Sequence, residues 1–147
     1  MRVTAKADYA IRAVVELAAR HMEVGPARPM KGDAIAAAQQ IPMKFCENIL
    51  SELRAAGVVE SRRGADGGYW LAREPNTVRL GDIIRIVEGP LAAIRGERPT
   101  DVDFVGTSAA MRDVWVAARA ALRSVLDAVT AADVVAGTLP AAVAALL

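Results

Sequence analysis

The chain has 147 residues, which corresponds to one domain or to one small domain with an attached helix. With 18 Lys and Arg against 17 Asp and Glu, bulk charge favours neither a nucleic-acid nor a membrane partner, and the single cysteine, Cys46, excludes an intrachain disulfide and a multi-cysteine metal site. The chain contains 31 alanines and only 4% aromatic residues, which predicts a helical core built from small side chains.

The first third of the chain carries a helical pattern. Apolar residues recur at helical spacing from Lys6 to Met22 and predict a first helix. Residues 24–29, rich in glycine and proline, predict a loop. The alanine-rich stretch Asp33–Gln40 predicts a short helix. That helix should end at Ile41, because a residue before proline is disfavoured in the helical region.

A further helix is predicted over Met43–Ala56, with Pro42 suited to its first turn and Gly57 suited to its C-terminal cap. Its apolar stripe comprises Cys46, Ile49, Leu50 and Leu53, and its polar face comprises Lys44, Glu47, Asn48, Ser51 and Glu52. Two helices joined by a tight turn are typical of a helix-turn-helix, although any helical hairpin shares this outline.

The next segment predicts a β-hairpin with a basic tip. Val58–Ser61 and Tyr69–Leu71 are strand candidates, and residues 62–68 form a turn rich in arginine and glycine. A hairpin placed directly after a helix-turn-helix predicts a winged helix. Its second helix would fit the major groove, which is about 12 Å wide. Its arginine-bearing tip would reach the neighbouring minor groove, whose negative potential attracts arginine.

The second half predicts one short and one long helix. Leu80–Glu88 should close the hairpin onto the core, and Ile94–Gly106 reads as a polar loop. Ser108–Val129 carries an apolar seam that needs a partner, most simply its own copy in a two-fold dimer. The tail from Ala131 is apolar with little periodicity. The predicted seam residues are Met111, Val114, Trp115, Ala118, Leu122 and Val125.

The predicted fold class is therefore mainly α with a small β-wing, comprising a winged helix-turn-helix and a long C-terminal dimerisation helix. We divide the chain into a winged helix-turn-helix domain at residues 1–90, a loop at 91–107, and the dimerisation helix with its tail at 108–147. An alternative for Met111 and Trp115 is that they line an effector cavity.

Several motifs in this order resemble the Rrf-type winged-helix regulators, which include the bacterial iron–sulfur cluster regulator and the nitric-oxide-sensitive repressor. The similarity covers about residues 1–135, and the segments that carry it are Met1–Ala10, Gln40–Pro42, Leu50–Val59, Arg63–Tyr69 and Ile83–Pro90. Trp115, Leu126, Asp127 and Thr130 also fit the dimerisation helix of the family and the turn after it. The resemblance implies a homodimeric, sequence-specific DNA-binding transcriptional regulator, and more specifically a repressor.

One segment departs from the pattern of the family. Cluster-binding members carry three cysteines between the helix ending at Glu88 and the long helix, whereas residues 91–107 contain none. Since an iron–sulfur cluster needs thiolate or imidazole ligands, we predict a clusterless member without a metal or cofactor. Three alternatives remain for the signal that the regulator senses. It could be a small molecule bound between the winged domain and the long helix, it could be a partner protein, or there could be no signal.

The predicted partner is double-stranded DNA with a pseudo-palindromic operator. The resemblance implies that Arg63 enters the minor groove and that Glu47 reads a base, while Lys44 and Arg54 suit phosphate contacts. The candidate DNA-binding residues are Arg2, Thr4, Lys44, Phe45, Glu47, Asn48, Arg54, Arg62, Arg63 and Gly64.

Two other functions compete with DNA-binding regulation. A winged-helix module for protein–protein interaction that no longer binds DNA is the alternative, and the basic wing argues against it. An enzyme is disfavoured because the sequence has no Ser/His/Asp set and no phosphate loop. Cys46 is expected to be a buried hydrophobe, since a redox switch needs exposure and a lowered pKa. Without a signal-peptide pattern or a bilayer-spanning stretch, we expect a cytoplasmic protein with no membrane partner.

Overall fold

The fold is built around its first helix, as a computed structural model describing residues 2–147 shows. Helix α1 spans Ala5–Val24 and begins where the Thr4 hydroxyl accepts a hydrogen bond from the Ala7 amide at 3.1 Å. Its buried face consists of Ala7, Ala10, Ala13, Val14, Leu17 and Ala18. Four of these six side chains are alanines, which lets other helices pack closely against α1, as the composition predicts. Met1, which opens the first resemblance segment, lies outside the described residues.

The helix-turn-helix consists of α2, Gly32–Gln39, and α3, Met43–Ala55, close to their predicted bounds. The turn is fixed by buried Ile41, whose amide donates to the Ala36 carbonyl at 2.9 Å. At the end of α3 the predicted cap is confirmed, because Gly57 has φ 76° and the Val58 amide donates back to the Leu53 carbonyl at 3.0 Å. The predicted inner stripe is buried throughout, at Cys46, Ile49, Leu50 and Leu53.

The wing is a two-stranded antiparallel sheet of β1, Val59–Arg62, and β2, Gly68–Leu71. Val59 pairs with Leu71 at the base and Arg62 with Gly68 at the tip. Met30, just before α2, forms an additional β-bridge with Tyr69 that was not predicted from the sequence. The hairpin is thereby tied to the entrance of the helix-turn-helix.

The C-terminal half confirms one predicted helix and corrects the bounds of another. Helix α4 spans Leu80–Glu88 as predicted. Helix α5 spans Met111–Leu126, whereas the prediction extended from Ser108 to Val129. Residues 106–108 instead form a 3₁₀ turn. Val129 is buried, and its carbonyl accepts from the Leu80 amide at 3.0 Å, which draws the chain back onto the winged domain.

The tail is more ordered than its sequence suggested. Helix α6 spans Ala131–Ala136 and packs against α1, and the short helix α7 spans Ala141–Ala144. A capping box begins α6, in which the Thr130 hydroxyl accepts from the Asp133 amide and the Asp133 carboxylate accepts from the Thr130 amide. The division of the chain at residues 90 and 107 remains a prediction.

An ion-pair network joins α4 to the end of α5. The Arg85 guanidinium reaches both carboxylate oxygens of Asp127 at 2.8 Å, and Arg123 Nε donates to Asp127 Oδ2 at 3.1 Å. The hydrogen bond from Arg85, assisted by Arg123, lowers the pKa of the Asp127 carboxyl below its usual value. Gly81 is buried against this carboxylate, and a Cβ added there would overlap Asp127 Oδ1.

We predict that Gly81→Ala destabilises the fold by about 1–3 kcal/mol, because the added methyl displaces the Asp127 carboxylate. In an Asp127→Ala background the same change should be neutral or stabilising, since the obstructing oxygen is gone and alanine is the better helix former. Urea denaturation of the four proteins in a double-mutant cycle measures this difference. An equal loss in both backgrounds would contradict the close approach of the two residues.

Candidate nucleic-acid interface

The outer face of α3 is free to meet a ligand. Lys44, Glu47, Asn48 and Ser51 are all exposed, whereas the side of the helix that faces α1 is buried. The helix therefore separates into an apolar half that fixes its position and a polar half that can contact base edges and phosphates, as the sequence predicts.

Phe45 lies on the flank of α3 nearest α1. Its side chain is 47% exposed, and its ring meets the ring of Tyr9 edge to face with centroids 5.7 Å apart. Arg12 covers Tyr9, with its guanidinium carbon 4.9 Å from the ring centroid. These contacts hold Phe45 in place at the border of the polar face.

The candidates at the start of α1 lie toward α4 and α5, and some groups there are already engaged. Arg2 and Thr4 are both exposed. The Thr4 hydroxyl caps α1 and donates to the Glu88 carboxylate. Lys6 forms an ion pair with Glu52 of α3 at 2.8 Å. The structure thus gives Thr4 and Lys6 roles in joining α1 to its neighbours.

The tip of the wing presents the predicted basic residues. Arg62, Arg63 and Gly64 are exposed, and Arg62 Nη2 donates to the Asp66 carbonyl across the turn at 3.1 Å. Farther down, Trp70 Nε1 donates to Glu60 Oε2 on the opposite strand at 3.0 Å. The two strands are therefore connected by side chains as well as by the backbone ladder.

The second strand of the wing is fixed, near its tip end, to the segment that precedes α2. The Met30 amide donates to the Tyr69 carbonyl at 2.8 Å, and the Tyr69 amide donates to the Met30 carbonyl at 2.8 Å. This approach requires glycine at position 68, where φ is 147° and a Cβ would lie 2.6 Å from the Met30 carbonyl oxygen. Nearer the tip, Lys31 Nζ donates to the Gly64 carbonyl at 2.6 Å.

Between α3 and the wing lies a cleft of about 430 Å³, which we call the helix–wing cleft. Arg54 of α3 crosses it to donate to the Ser61 hydroxyl at 3.0 Å. Its lining residues are Lys31, Gly32, Ser51, Arg54, Ser61, Arg62, Arg63, Gly68 and Tyr69. This lining includes four cationic side chains and no carboxylate, so the cleft is a local concentration of positive charge in a chain of formal net charge +1.

Lys31 is the residue of this site that the sequence analysis missed. It precedes α2 and belongs to neither the predicted recognition helix nor the wing. The pairing of Met30 with Tyr69, far apart in sequence, brings it to the cleft. No local sequence pattern signals that pairing.

The predicted dimerisation seam is incompletely covered in the single chain. The structure describes all of α5, and none of its residues is buried. Val114 is 54% and Met111 is 36% exposed. The remaining seam residues are half-buried, namely Trp115, Ala118, Leu122 and Val125.

A second cleft, of about 380 Å³, separates α5 from the winged domain. Leu122 and Leu126 of α5 face α1 and α4 across it, with Arg2 and Glu88 among its polar lining residues. A small-molecule effector, if the signal is one, is predicted to bind at this junction, and the effector itself remains a prediction.

Cys46 lies inside the core, with its Sγ 3.8 Å from the Gly32 carbonyl oxygen. Burial raises the pKa of its thiol, and the neighbouring Glu47 carboxylate raises it further. A redox switch needs an exposed thiol with a lowered pKa, so the structure favours the reading of Cys46 as a small buried hydrophobe.

The donor groups do not fit an iron–sulfur cluster. The segment 91–107 contains no cysteine, and Cys46 is buried in α3. The single histidine, His21, lies 3.4 Å from the Glu74 carboxylate at the far end of α1. Across residues 2–147, no three His, Cys, Asp or Glu side chains come together as metal ligands. Over the same range, no helix combines the length and the apolar character needed to cross a membrane.

An exposed second helix beside a basic hairpin defines the winged helix-turn-helix class of DNA-binding proteins. The sequence model of the Rrf2 family, described as an iron-dependent transcriptional regulator, matches residues 3–137. The chain belongs to the Rrf2 family of transcriptional regulators, which confirms the resemblance drawn from its motifs.

Relatives of similar length are also HTH-type transcriptional regulators. The chain is 44% identical over 146 residues to the HTH-type transcriptional regulator Rv1287 of Mycobacterium tuberculosis, covering 99% of this chain and 88% of that protein. It is 36% identical over 133 residues to the HTH-type transcriptional regulator CymR of Bacillus subtilis, covering 90% of this chain and 88% of that protein. These relatives are transcriptional regulators and not enzymes, as predicted.

A solved structure shares the fold. CymR of B. subtilis, described as a global cysteine regulator, superposes with a TM-score of 0.77 at 34% identity, covering 94% of this chain and 98% of that one. The predicted fold class, mainly helical with a small β-wing, is confirmed. The chain is therefore a DNA-binding regulator. Its operator sequence, its oligomeric state and the signal it responds to remain predictions.

Proposed function

We propose that this regulator is a homodimer that binds a pseudo-palindromic operator and represses transcription without an iron–sulfur cluster. The observation that carries the proposal is the placement of the exposed face of α3 and the arginine-bearing wing on the two sides of one cationic cleft. A duplex presents a major groove, a phosphate strand and a minor groove side by side. The exposed face of α3, the helix–wing cleft and the wing follow one another in the same order.

On this proposal α3 reads bases and the wing reads the neighbouring minor groove. Glu47 would accept a hydrogen bond from cytosine N4, which compensates for placing a carboxylate near phosphates, and Asn48 would pair with adenine. Phe45, held by Tyr9, suits contact with a thymine methyl group at the edge of the groove. Arg62 and Arg63 enter the minor groove, where Gly64 lets the backbone approach closely.

The remaining candidates are proposed to fix the register of the protein on the duplex. Lys44 and Arg54 would contact phosphates on either side of the major groove, and Arg2 would do so from the start of α1. Thr4 would join it by exchanging its hydroxyl bond to Glu88 for one to a phosphate oxygen. Such contacts orient the protein and carry no sequence information themselves. Because the net charge is close to zero, the salt dependence of binding should come from these local cations.

The dimer is proposed from α5. Its apolar side chains, including Val114 at 54% exposure, are only partly covered in the single chain, and a two-fold axis would bury the same face of both copies. Two winged domains would then read half-sites about one helical turn, or a multiple of it, apart.

We predict that Val114→Glu prevents dimerisation, because it places a charge in the centre of the proposed interface. Ser124→Glu adds the same charge at an exposed position of α5 outside the predicted seam and serves as the control. Sedimentation equilibrium at micromolar concentration should give monomers for the first variant and dimers for wild type and control. A wild-type mass for Val114→Glu would contradict α5 as the interface.

We predict that Arg63→Ala weakens operator binding by about tenfold or more, since it removes a minor-groove contact, while thermal stability and dimer mass stay unchanged. An operator enriched by wild-type protein from random duplexes is titrated by fluorescence anisotropy. Arg98→Ala, an exposed arginine of the 91–107 loop, is the matched control. Unchanged affinity for Arg63→Ala would remove the wing from the interface, and failure of wild type to enrich any duplex would refute the proposed function.

We predict that protein purified without oxygen is colourless and has the native mass of its chains alone. The donor groups described above do not fit an iron–sulfur cluster. Visible absorption spectroscopy measures the colour, and native mass spectrometry measures the mass. A cluster-binding relative purified in parallel is the positive control. A coloured protein that contains iron and sulfide would overturn the clusterless assignment.

A further inference from the structure

The helix–wing cleft has the place and the charge of a site for the sugar–phosphate backbone. If α3 occupies a major groove and the wing the adjacent minor groove, the strand that separates the two grooves must pass between them. Lys31, Arg54, Arg62 and Arg63 line the cleft, together with the hydroxyl groups of Ser51 and Ser61. Cations and hydroxyl donors are the groups that proteins direct at phosphate oxygens.

Lys31 lies at the edge of this cleft, and its ammonium group has N–H donors that are not used within the wing contact. Its backbone is positioned by the hydrogen bonds of the preceding residue, Met30, with Tyr69, and its side chain is exposed. An ammonium group has three N–H donors. The bond from Nζ to the Gly64 carbonyl at 2.6 Å uses one of them, so Nζ can bind a phosphate oxygen without releasing the wing tip.

Resting on the proposed DNA binding, we propose that Lys31 is a ligand of a backbone phosphate that passes through the helix–wing cleft. Its ammonium is a compact point charge, which binds phosphate without requiring a bidentate geometry. It contributes affinity equally on every sequence, because phosphates are the same at every base pair. The same side chain joins the wing tip to the start of α2. Lys31 would therefore both bind a phosphate and hold the wing in position.

A purely structural role for Lys31 makes a different prediction. If the side chain only holds the wing tip, a neutral donor of hydrogen bonds would replace it without changing how binding depends on salt. Lys31→Gln retains an N–H donor and removes the charge, whereas Lys31→Met removes both. Arg98→Gln removes one positive charge outside the cleft and is the control for net charge.

The test measures affinity against salt concentration for the four proteins, on the operator enriched by wild type and on an unrelated duplex. Each phosphate that a cation neutralises contributes about 0.9 to the slope of log affinity against log salt. For Lys31→Gln we expect the magnitude of the slope to fall by about 0.9, with the same fold-loss of affinity on both duplexes. Lys31→Met should lose the same slope and more affinity, because the bond to Gly64 is gone as well. Arg98→Gln should match wild type.

A wild-type slope for Lys31→Gln, or a loss of affinity confined to the operator, would overturn the assignment of Lys31 as a phosphate ligand while the DNA-binding function stands. If wild type binds neither duplex, the proposed function and this inference both fall. Thermal unfolding of each variant, which should match wild type, shows that any loss arises at the cleft.

Discussion

The pairing of Met30 with Tyr69 is the constraint on which the DNA-binding surface depends. Two reciprocal backbone hydrogen bonds of 2.8 Å join the segment before α2 to the second strand of the wing. Breaking them would leave backbone groups without partners, which is costly wherever water cannot replace the bond. Gly68 makes the close approach feasible, since a side chain there would collide with Met30. The position of the wing relative to the helix-turn-helix is therefore fixed in the free protein, before DNA binds.

This constraint explains how a nearly neutral chain can bind a polyanion. Net charge is +1, yet the fold collects Lys31, Arg54, Arg62 and Arg63 around one cleft. Some carboxylates are paired with cations outside this cleft, as Asp127 is with Arg85 and Glu52 with Lys6. Local placement of charge, and not its sum, decides whether a surface attracts phosphate.

Local patterns predicted most of the fold. Periodicity located α1 to α4, Pro42 and Gly57 marked the ends of α3, and the glycine-rich turn marked the wing. What sequence reasoning missed depends on contacts distant along the chain. The C-terminal end of α5 coincides with the docking of Val129 against Leu80. For α6 the capping box at Thr130 was a readable signal. Lys31 joins the candidate site only through a strand pairing that no local pattern announces.

Native-state hydrogen exchange of the free protein tests the central claim most directly. If the wing is fixed to the helix-turn-helix before DNA arrives, the amides of Met30 and Tyr69 should exchange as slowly as that of Val14 in the core of α1, through global unfolding alone. The exposed tip amide of Ala65 should exchange quickly in the same experiment. Exchange of the Met30 and Tyr69 amides at the rate of Ala65 would show a wing that moves independently of α3 and would contradict the account.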